Sequence, residues 1–474
     1  MPHAQPNIVF ILIDDLGWRD LACYGSSFYE TPRLDRLAGQ GMRFTDAYAA
    51  CPVCSPTRAS LMSGKYPARV GVTQWIGGHA VGRLSDVPYM HCLPMSERSI
   101  AAALRDGGYQ TWHVGKWHLG ERLCWPDHHG FEVNVGGCGW GAPRHGYFSP
   151  WHCPTMDDGP AGQHLTDGLT DAAIGLIRQR DRNRPFFLNL SHYAVHTPIE
   201  APAELVEKYR DKARRLGLND DDALEPGEYH PCQHKRTQRV MRRKFQSHAT
   251  YAAMVEHLDS AIGRLLDELD AQGLAEDTLV VFTSDNGGLS TSEGSPTCNL
   301  PLCEGKGWMY EGGTRVCQVA RWPGVIAAGS ECDEPCTSPD WYPTLLAAAG
   351  LAPDPQQHVD GVDLTPLLRG EALDRGPIYW HYPHYSNQGG TPAASVRHGD
   401  WKLIEFFEDG RLELYNLRAD IGETRDRRGD EGQRVAELHA GLKRWQREIE
   451  ALIPKANRNH VPPPVDSEVD PAEV

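Results

Sequence analysis

The sequence predicts an α/β fold: a large, mostly parallel mixed sheet flanked by helices, with a smaller C-terminal α+β subdomain containing an antiparallel sheet. Three observations lead there. Short continuous apolar runs end in polar residues, amphipathic helical stretches alternate with them, and the texture changes after Leu368-Arg369-Gly370.

The first run is Asn7 to Ile13, which ends in Asp14-Asp15 and has the look of a strand buried on both faces. Thr31-Pro32 opens a helix through Ala38, and Ser96 to Gly107 reads as another before the strand Gln110 to Gly115. Thr166 to Arg182 carries apolar residues at helical spacing, and Pro185 to Ser191 is the next strand. Lys208 to Lys244 is dense in charge, has little apolar periodicity and holds Pro226-Gly227, so residues 205–245 read as a surface insertion near the pocket mouth. Ser247 to Gln272 is the clearest helix, with Tyr251, Met254, Val255, Leu258, Ile262, Leu265, Leu266 and Leu269 on one face. Leu279 to Ser284 repeats the design of the first strand before Asp285-Asn286.

Beyond residue 370, Pro377 to Tyr382, Ala394 to Arg397, Trp401 to Phe407 and Leu412 to Leu417 alternate as antiparallel strands, with Glu408-Asp409-Gly410 as a hairpin turn. A helix is expected over Gln433 to Leu452. The expected units are a main domain 1–370, a subdomain 371–460 and a Pro-rich, acidic, flexible tail 461–474. At 474 residues the chain exceeds the roughly 250–300 at which one core stops growing, which agrees with two units.

Composition limits partners more than chemistry. Lys plus Arg number 47 against 63 Asp plus Glu, and the net charge of −16 repels a phosphate backbone, so nucleic acid is excluded as a partner. An anionic small substrate then needs a locally positive pocket. No run approaches the ~18 apolar residues of a membrane span, and a first strand beginning at Asn7 leaves no room for a signal peptide. A cytoplasmic protein is expected from the sequence as it stands, and a periplasmic or secreted one if its N-terminus is trimmed. An odd count of 13 cysteines fits reduced thiols better than a paired framework.

The residues that carry chemistry lie in six places. Cys54-Ser55-Pro56-Thr57-Arg58 opens a run through Gly64, and Cys51 with Cys54 also spells Cys-x-x-Cys, a redox pair or half of a zinc site. Asp14-Asp15 and Asp285-Asn286 each follow a strand, where they serve as well for a cap or turn as for ligands. Lys116 and His118 lie in Gly115-Lys-Trp-His-Leu-Gly120, His196 in Tyr193-Ala-Val-His-Thr-Pro198, and Lys306 in Glu304-Gly-Lys-Gly-Trp. Strand ends on one sheet edge are where α/β ligands gather.

In order and spacing this set resembles the type I sulfatases of the alkaline-phosphatase-like superfamily, in look closest to the arylsulfatase A-like carbohydrate sulfatases. The resemblance implies that domain 1–370 is catalytic and that a formylglycine-generating maturation enzyme reads Cys-x-Pro-x-Arg and oxidises Cys54 to Cα-formylglycine (3-oxoalanine). It implies one Ca²⁺, or Mg²⁺ in its place, held by Asp14, Asp15, residue 54, Asp285 and Asn286. Such an oxygen-only set suits a hard cation. Arg58, Lys116, His118, His196 and Lys306 match the family's remaining catalytic positions.

The implied reaction is hydrolysis of a sulfuric ester. A hydrated aldehyde at residue 54 attacks sulfur, Lys116 and Lys306 neutralise the sulfuryl oxygens, His196 or Lys306 protonates the leaving alcohol, and His118 then takes a proton from the second hydroxyl to expel sulfate. The expected substrate is a sulfated carbohydrate, a galactose or N-acetylgalactosamine sulfate. The alternatives are a phosphonate monoester or phosphodiester hydrolase of the same superfamily, or a general arylsulfatase. Trp380, His381, Tyr382, His384, Tyr385, Asn387 and Gln388 read either as one loop lining a sugar site or as an aromatic cluster joining the two units. The sequence sets no oligomeric state.

Overall fold

The computed structural model describes residues 5–464. Its main sheet has eight strands: β1 (Asn7–Ile13), β2 (Met42–Phe44), β3 (Gln110–Gly115), β4 (Val133–Val135), β5 (Phe186–Ser191), β6 (Thr278–Ser284), β7 (Gln318–Arg321) and β8 (Ser330–Cys332). Across the sheet they run β8-β2-β7-β6-β1-β5-β3-β4. Every pairing is parallel except those of β7 with β6 and with β2.

The principal helices are α1 (Pro32–Gln40), α2 (Cys54–Ser63), α3 (Ile100–Asp106), α4 (Leu165–Gln179), α5 (Ala203–Leu216), α6 (Ala249–Ala271), α7 (Trp341–Ala348) and α8 (Gly432–Glu448). Side chains alternate across β1. Val9, Ile11 and Ile13 pack with α1, α4 and α6 on one face, while Ile8, Phe10 and Leu12 pack with α2, α3 and α7 on the other. Helices therefore cover both faces, which is why the central strands read as unbroken apolar runs. The eight apolar residues expected on one face of α6 are all buried.

The C-terminal sheet is an antiparallel meander of β9 (Ile378–Tyr382), β10 (Ala393–His398), β11 (Trp401–Phe406) and β12 (Leu412–Asn416). One face, with Ala394, Val396, Leu403 and Leu414, packs on Leu442 and Trp445 of α8. The other, with Trp380, Tyr382, Ile404 and Phe406, packs on Tyr48, Cys51 and Val53, the segment that leads into α2. The second sheet thus buttresses the entry to the Cys54 helix.

Several elements depart from the sequence reading. α3 starts at Ile100 instead of Ser96, because the Ser99 hydroxyl accepts the Ala102 N–H at 3.0 Å and sets the N-cap. The charged insertion contains α5 and a hairpin, Leu224–Tyr229 with Arg239–Arg243. α5 buries only Val206 and Tyr209 and is fastened through Lys208 and Lys212 to Glu30 and Glu256, so its apolar stripe is too narrow to show as periodicity. The short strands β2, β4, β7 and β8 gave no apolar run. Residues 465–474 of the expected tail lie outside the described residues. Among the described residues no helix is long and apolar enough to cross a membrane.

Candidate active site

Register decides what meets. Ile13 pairs with Ser284, Leu12 with Ser191, and Gly115 with Ser191. The residues beyond these strand ends, Asp14, Asp15, Asp285, Asn286 and Lys116, therefore emerge together at the carboxyl edge of the sheet. His196 comes from the loop after β5, and its backbone N–H is fixed to Tyr193 O at 3.0 Å.

Cys54 is the first residue of α2, and every residue of that helix is buried. Pro56 sits in the first turn, where the missing N–H leaves no helical bond unmade. Arg58 lies one turn after Cys54 and so shares its face. Its guanidinium donates to Asp285 Oδ2 at 2.9 Å, Lys116 O at 3.0 Å and Ser191 Oγ at 2.6 Å. Ser191, a role the sequence reading missed, thereby anchors the arginine beneath residue 54.

Three carboxylates face three cations in a buried layer. Lys116 Nζ stands 2.5 Å from Asp14 Oδ2, Lys306 Nζ 2.7 Å from Asp15 Oδ2, and Arg58 Nη2 2.7 Å from Asp285 Oδ2. Asn286 Nδ2 donates to Asp15 Oδ1 at 2.8 Å. Asp14 Oδ1 and Asn286 Oδ1 are buried and accept no hydrogen bond. Burial drives the Asp14 carboxyl well above the usual range against the pull of Lys116. Burial acts on Asp15 in the same sense, but Lys306, His196 and Lys116 overcome it and hold that carboxyl well below the usual range. Asp14, Asp15 and His196 each bring one ligand atom within 4.8 Å of the others.

Hydrogen bonds fix the tautomers of the two histidines. His118 Nε2 lies 3.1 Å from Ile76 O, which can only accept, so Nε2 carries the proton and bare Nδ1 faces Cys54 Sγ at 3.3 Å. Burial, and then Lys116, push its pKa well below the ordinary value, so the imidazole is neutral. His196 Nδ1 donates to Thr197 O at 2.8 Å, leaving Nε2 unprotonated and 3.7 Å from Asp15 Oδ2. Burial and Lys306 lower its pKa to about 3. Asp15 and His118 both hold positive φ, 65° and 53°, a sparsely populated backbone for non-glycine residues that concentrates at functional sites.

Cys54, His118, His196 and Lys306 line one cavity of about 500 Å³, together with Trp75, Glu293, Asn387, Gln388 and Arg144. Arg58, Lys116, Asp14, Asp15, Asp285 and Asn286 lie buried below or beside them. The sequence reading missed Trp75, Arg144 and Glu293, which sit in loops with no periodic signal. A Cβ on Gly141 would stand 2.7 Å from the His118 ring, so glycine there keeps the imidazole in place.

Of the two readings of the seven residues singled out from Trp380 to Gln388, the structure places most of them in a structural aromatic cluster and few at the cavity. Trp380, His381 and Tyr382 belong to β9, Trp380 donates to Ala49 O, and Tyr382 donates to Gln74. His384 is buried between Thr73 and Asp86, and Tyr385 packs with Ala80, Leu84 and Cys232. These fasten the second sheet to loops of the main domain, and only Asn387 and Gln388 of the seven reach the cavity. The Cys-x-x-Cys reading also fails. The Cys51 backbone is tied to Thr57 Oγ1, all thirteen cysteines are free, and the potential metal group among the described residues contains no cysteine.

Comparison with known proteins agrees with this geometry. The family model described as Sulfatase matches residues 6–351, and that described as N-sulphoglucosamine sulphohydrolase, C-terminal, matches residues 304–450. The N-acetylgalactosamine-6-sulfatase of Rattus norvegicus is 33% identical over 79% of this chain and 68% of its own. Arylsulfatase A of Homo sapiens is 34% identical over 85% of this chain and 75% of its own. The crystal structure of Ps i-CgsB in complex with k-i-k-neocarrahexaose superposes with a TM-score of 0.75 at 28% identity, covering 93% of this chain and 92% of that one. With one model spanning most of the chain and relatives a third identical along most of both lengths, the chain belongs to the sulfatase family and is a sulfuric ester hydrolase.

Proposed function

We propose that this sulfatase releases inorganic sulfate from a sulfated carbohydrate, a galactose or N-acetylgalactosamine sulfate, using residue 54 as a Cα-formylglycine beside one Ca²⁺. The observation that carries the reading is the pair of orphaned buried oxygens, Asp14 Oδ1 and Asn286 Oδ1, next to residue 54. Two buried acceptors without donors are costly, and they are the hard oxygen ligands a divalent cation takes. Asp14, Asp15, Asp285, Asn286 and residue 54 are the proposed ligands, and the chemistry of this donor set fits Ca²⁺ or Mg²⁺. The three cationic side chains already balance the three carboxylates, so a bound dication gives the site the positive excess an anionic ester needs.

When present, the cation supplies charge neutralisation and the matured residue 54 supplies a hydrated aldehyde as nucleophile toward sulfur. The chain's own groups do the rest. Arg58, held by Asp285 and Ser191, orients residue 54 from below. Lys116 and Lys306 steady the sulfuryl oxygens in a layer that excludes water. Lys306 carries a proton while the His196 Nε2 does not, so Lys306 protonates the departing alcohol and His196 accepts a hydrogen bond from substrate. His118, with bare Nδ1 toward residue 54, takes the proton whose loss expels sulfate.

Cys54, Pro56 and Arg58 are buried in α2, so the maturation enzyme can read its motif only before the chain folds. We assign residues 1–370 as the catalytic domain and 371–460 as the subdomain that buttresses it. The relatives named for N-acetylgalactosamine-6-sulfate and the structure holding a neocarrahexaose support a saccharide substrate. The test is sulfate release from a panel of defined sulfated saccharides, with an aryl sulfate and an aryl phosphonate ester alongside. Saccharide turnover above both aryl esters is expected; phosphonate hydrolysis above all sulfates overturns the reading. Mass spectrometry of the peptide bearing residue 54 should show a loss of about 18 Da relative to cysteine.

A further inference from the structure

We propose that Cys92 and Cys124 form a modification site, where a low-molecular-weight disulfide oxidises the two thiols to a cross-link that pins the segment carrying Lys116 and His118. Both thiols are free and partly exposed, so a small oxidant reaches them. A Cβ built on Gly120, where φ is +121°, would stand 2.6 Å from Cys92 Cβ and 2.8 Å from Cys124 Cβ. The two Cβ atoms therefore flank one point and lie no more than about 5.5 Å apart, within a small shift of the roughly 3.5–4.5 Å that a disulfide spans.

The sulfurs meet as well. Burial first, and then a hydrogen bond to the Cys92 thiol, push the Cys124 thiol up to about 11. Cys124 thus holds its proton toward Cys92, and the thiolate that exchange needs is more abundant in alkaline solution. Cys138 and Cys153 also share a hydrogen bond, but Cys138 is 1% exposed and shut off from an attacking disulfide.

Backbone bonds bring the pair together. Leu93 N–H donates to Leu119 O at 3.0 Å, and Cys124 N–H donates to Glu121 O at 2.7 Å. Trp117 Nε1 donates to Cys124 O at 2.7 Å. The chain before α3 and the turn after His118 are therefore already fastened to the segment between Lys116 and Gly120, so closing the bridge costs little further order. Neither cysteine lines the cavity.

The step is thiol–disulfide exchange. One protein thiol gives its proton to water, its thiolate attacks a sulfur of the oxidant, and one reduced thiol leaves. The second protein thiolate then attacks the mixed disulfide and displaces the other half of the oxidant as a second thiol. Two S–H bonds of the protein are lost and one S–S bond is gained, while the oxidant's S–S bond is reduced to two thiols. The closed loop holds α3, β3, Lys116 and His118.

None of this depends on which ester the enzyme hydrolyses. Full-length protein, first reduced and then incubated with oxidised glutathione at about pH 8.5, should lose about 2 Da as two hydrogens leave. Digestion without reductant should yield a peptide pair joining residue 92 to residue 124. The same oxidant in urea should show no preference for this pair, because the fold no longer brings the two thiols together. The bridged protein should melt about 4–7 °C above the reduced one, and amide exchange of residues 116–120 should slow. Cys124→Ser, treated alike, should show neither change, and Cys92→Ser gives the same comparison if that variant does not fold. Recovery of both cysteines as free thiols or as separate glutathione adducts, or a bridge that fails to raise the melting temperature, overturns the proposal.

Discussion

His118 shows how one side chain is set up for a single task. Its N–H is committed to Ile76 O, its free nitrogen points at residue 54, and burial keeps it neutral. His118→Ala is expected to lower kcat by about 10²–10⁴ with little change in substrate binding, as steady-state kinetics and calorimetry would show. Cys54→Ser removes the second hydroxyl on which expulsion of sulfate depends, so each chain should release at most one equivalent of alcohol and keep sulfate esterified to the serine. Sustained turnover by that variant contradicts the mechanism. Both residues were legible in the sequence because their motifs are local. Ser191, Glu293 and Trp75 were not, since nothing near them in the chain announces an arginine 133 residues away or a cavity wall.

Elements are held in register by buried charges. Lys402 of β11 reaches Glu311 Oε1 at 2.8 Å and Glu423 Oε1 at 3.0 Å, all three fully buried, while Glu311 Oε2 accepts from Tyr48 and Arg315. This ties the second sheet to the segment following Lys306 and, through Tyr48, to the segment that leads into α2. Lys402→Met leaves buried Glu423 without its cation and Glu311 with Arg315 alone, and should cost about 3–5 kcal/mol, read from the midpoint of urea unfolding. Asp259 of α6 accepts the Arg33 and Leu34 N–H groups at the start of α1 at 3.1 and 2.8 Å. Burial raises its carboxyl from 3.8 to about 7, more than the two N–H groups lower it. The folded chain then retains a proton that the unfolded chain has already lost, so this group's contribution to stability falls as pH rises from about 4 to about 7. The melting temperature of the parent protein relative to Asp259→Asn should be highest near pH 4 and decline toward pH 7.5.

For the whole molecule, the proposed cation ligands follow β1 and β6, so binding of a cation there is linked to folding. Raising free Ca²⁺ to a hundred times its dissociation constant should stabilise the fold by about 2.7 kcal/mol, seen as a rise in melting temperature that a chelator reverses and Asn286→Ala abolishes. The sequence by itself determined the central strands, the long helix α6, the antiparallel meander and the short motifs whose residues gather at the candidate site. Each is written locally, in an unbroken apolar run, a 3.6-residue period, a two-residue alternation or a short motif. The sequence led to the expectation that Asp14, Asp285 and Lys116 share one edge, and only the tertiary structure set them level there, through the pairing of β1 with β6 and β5 and of β5 with β3, strands far apart in the chain. The tertiary structure also decided that Trp380 to Tyr385 fasten the second sheet to loops of the main domain while Asn387 and Gln388 reach the cavity. Composition alone cannot make that division, since an aromatic or amide side chain serves a core or a pocket equally well and burial assigns it to one.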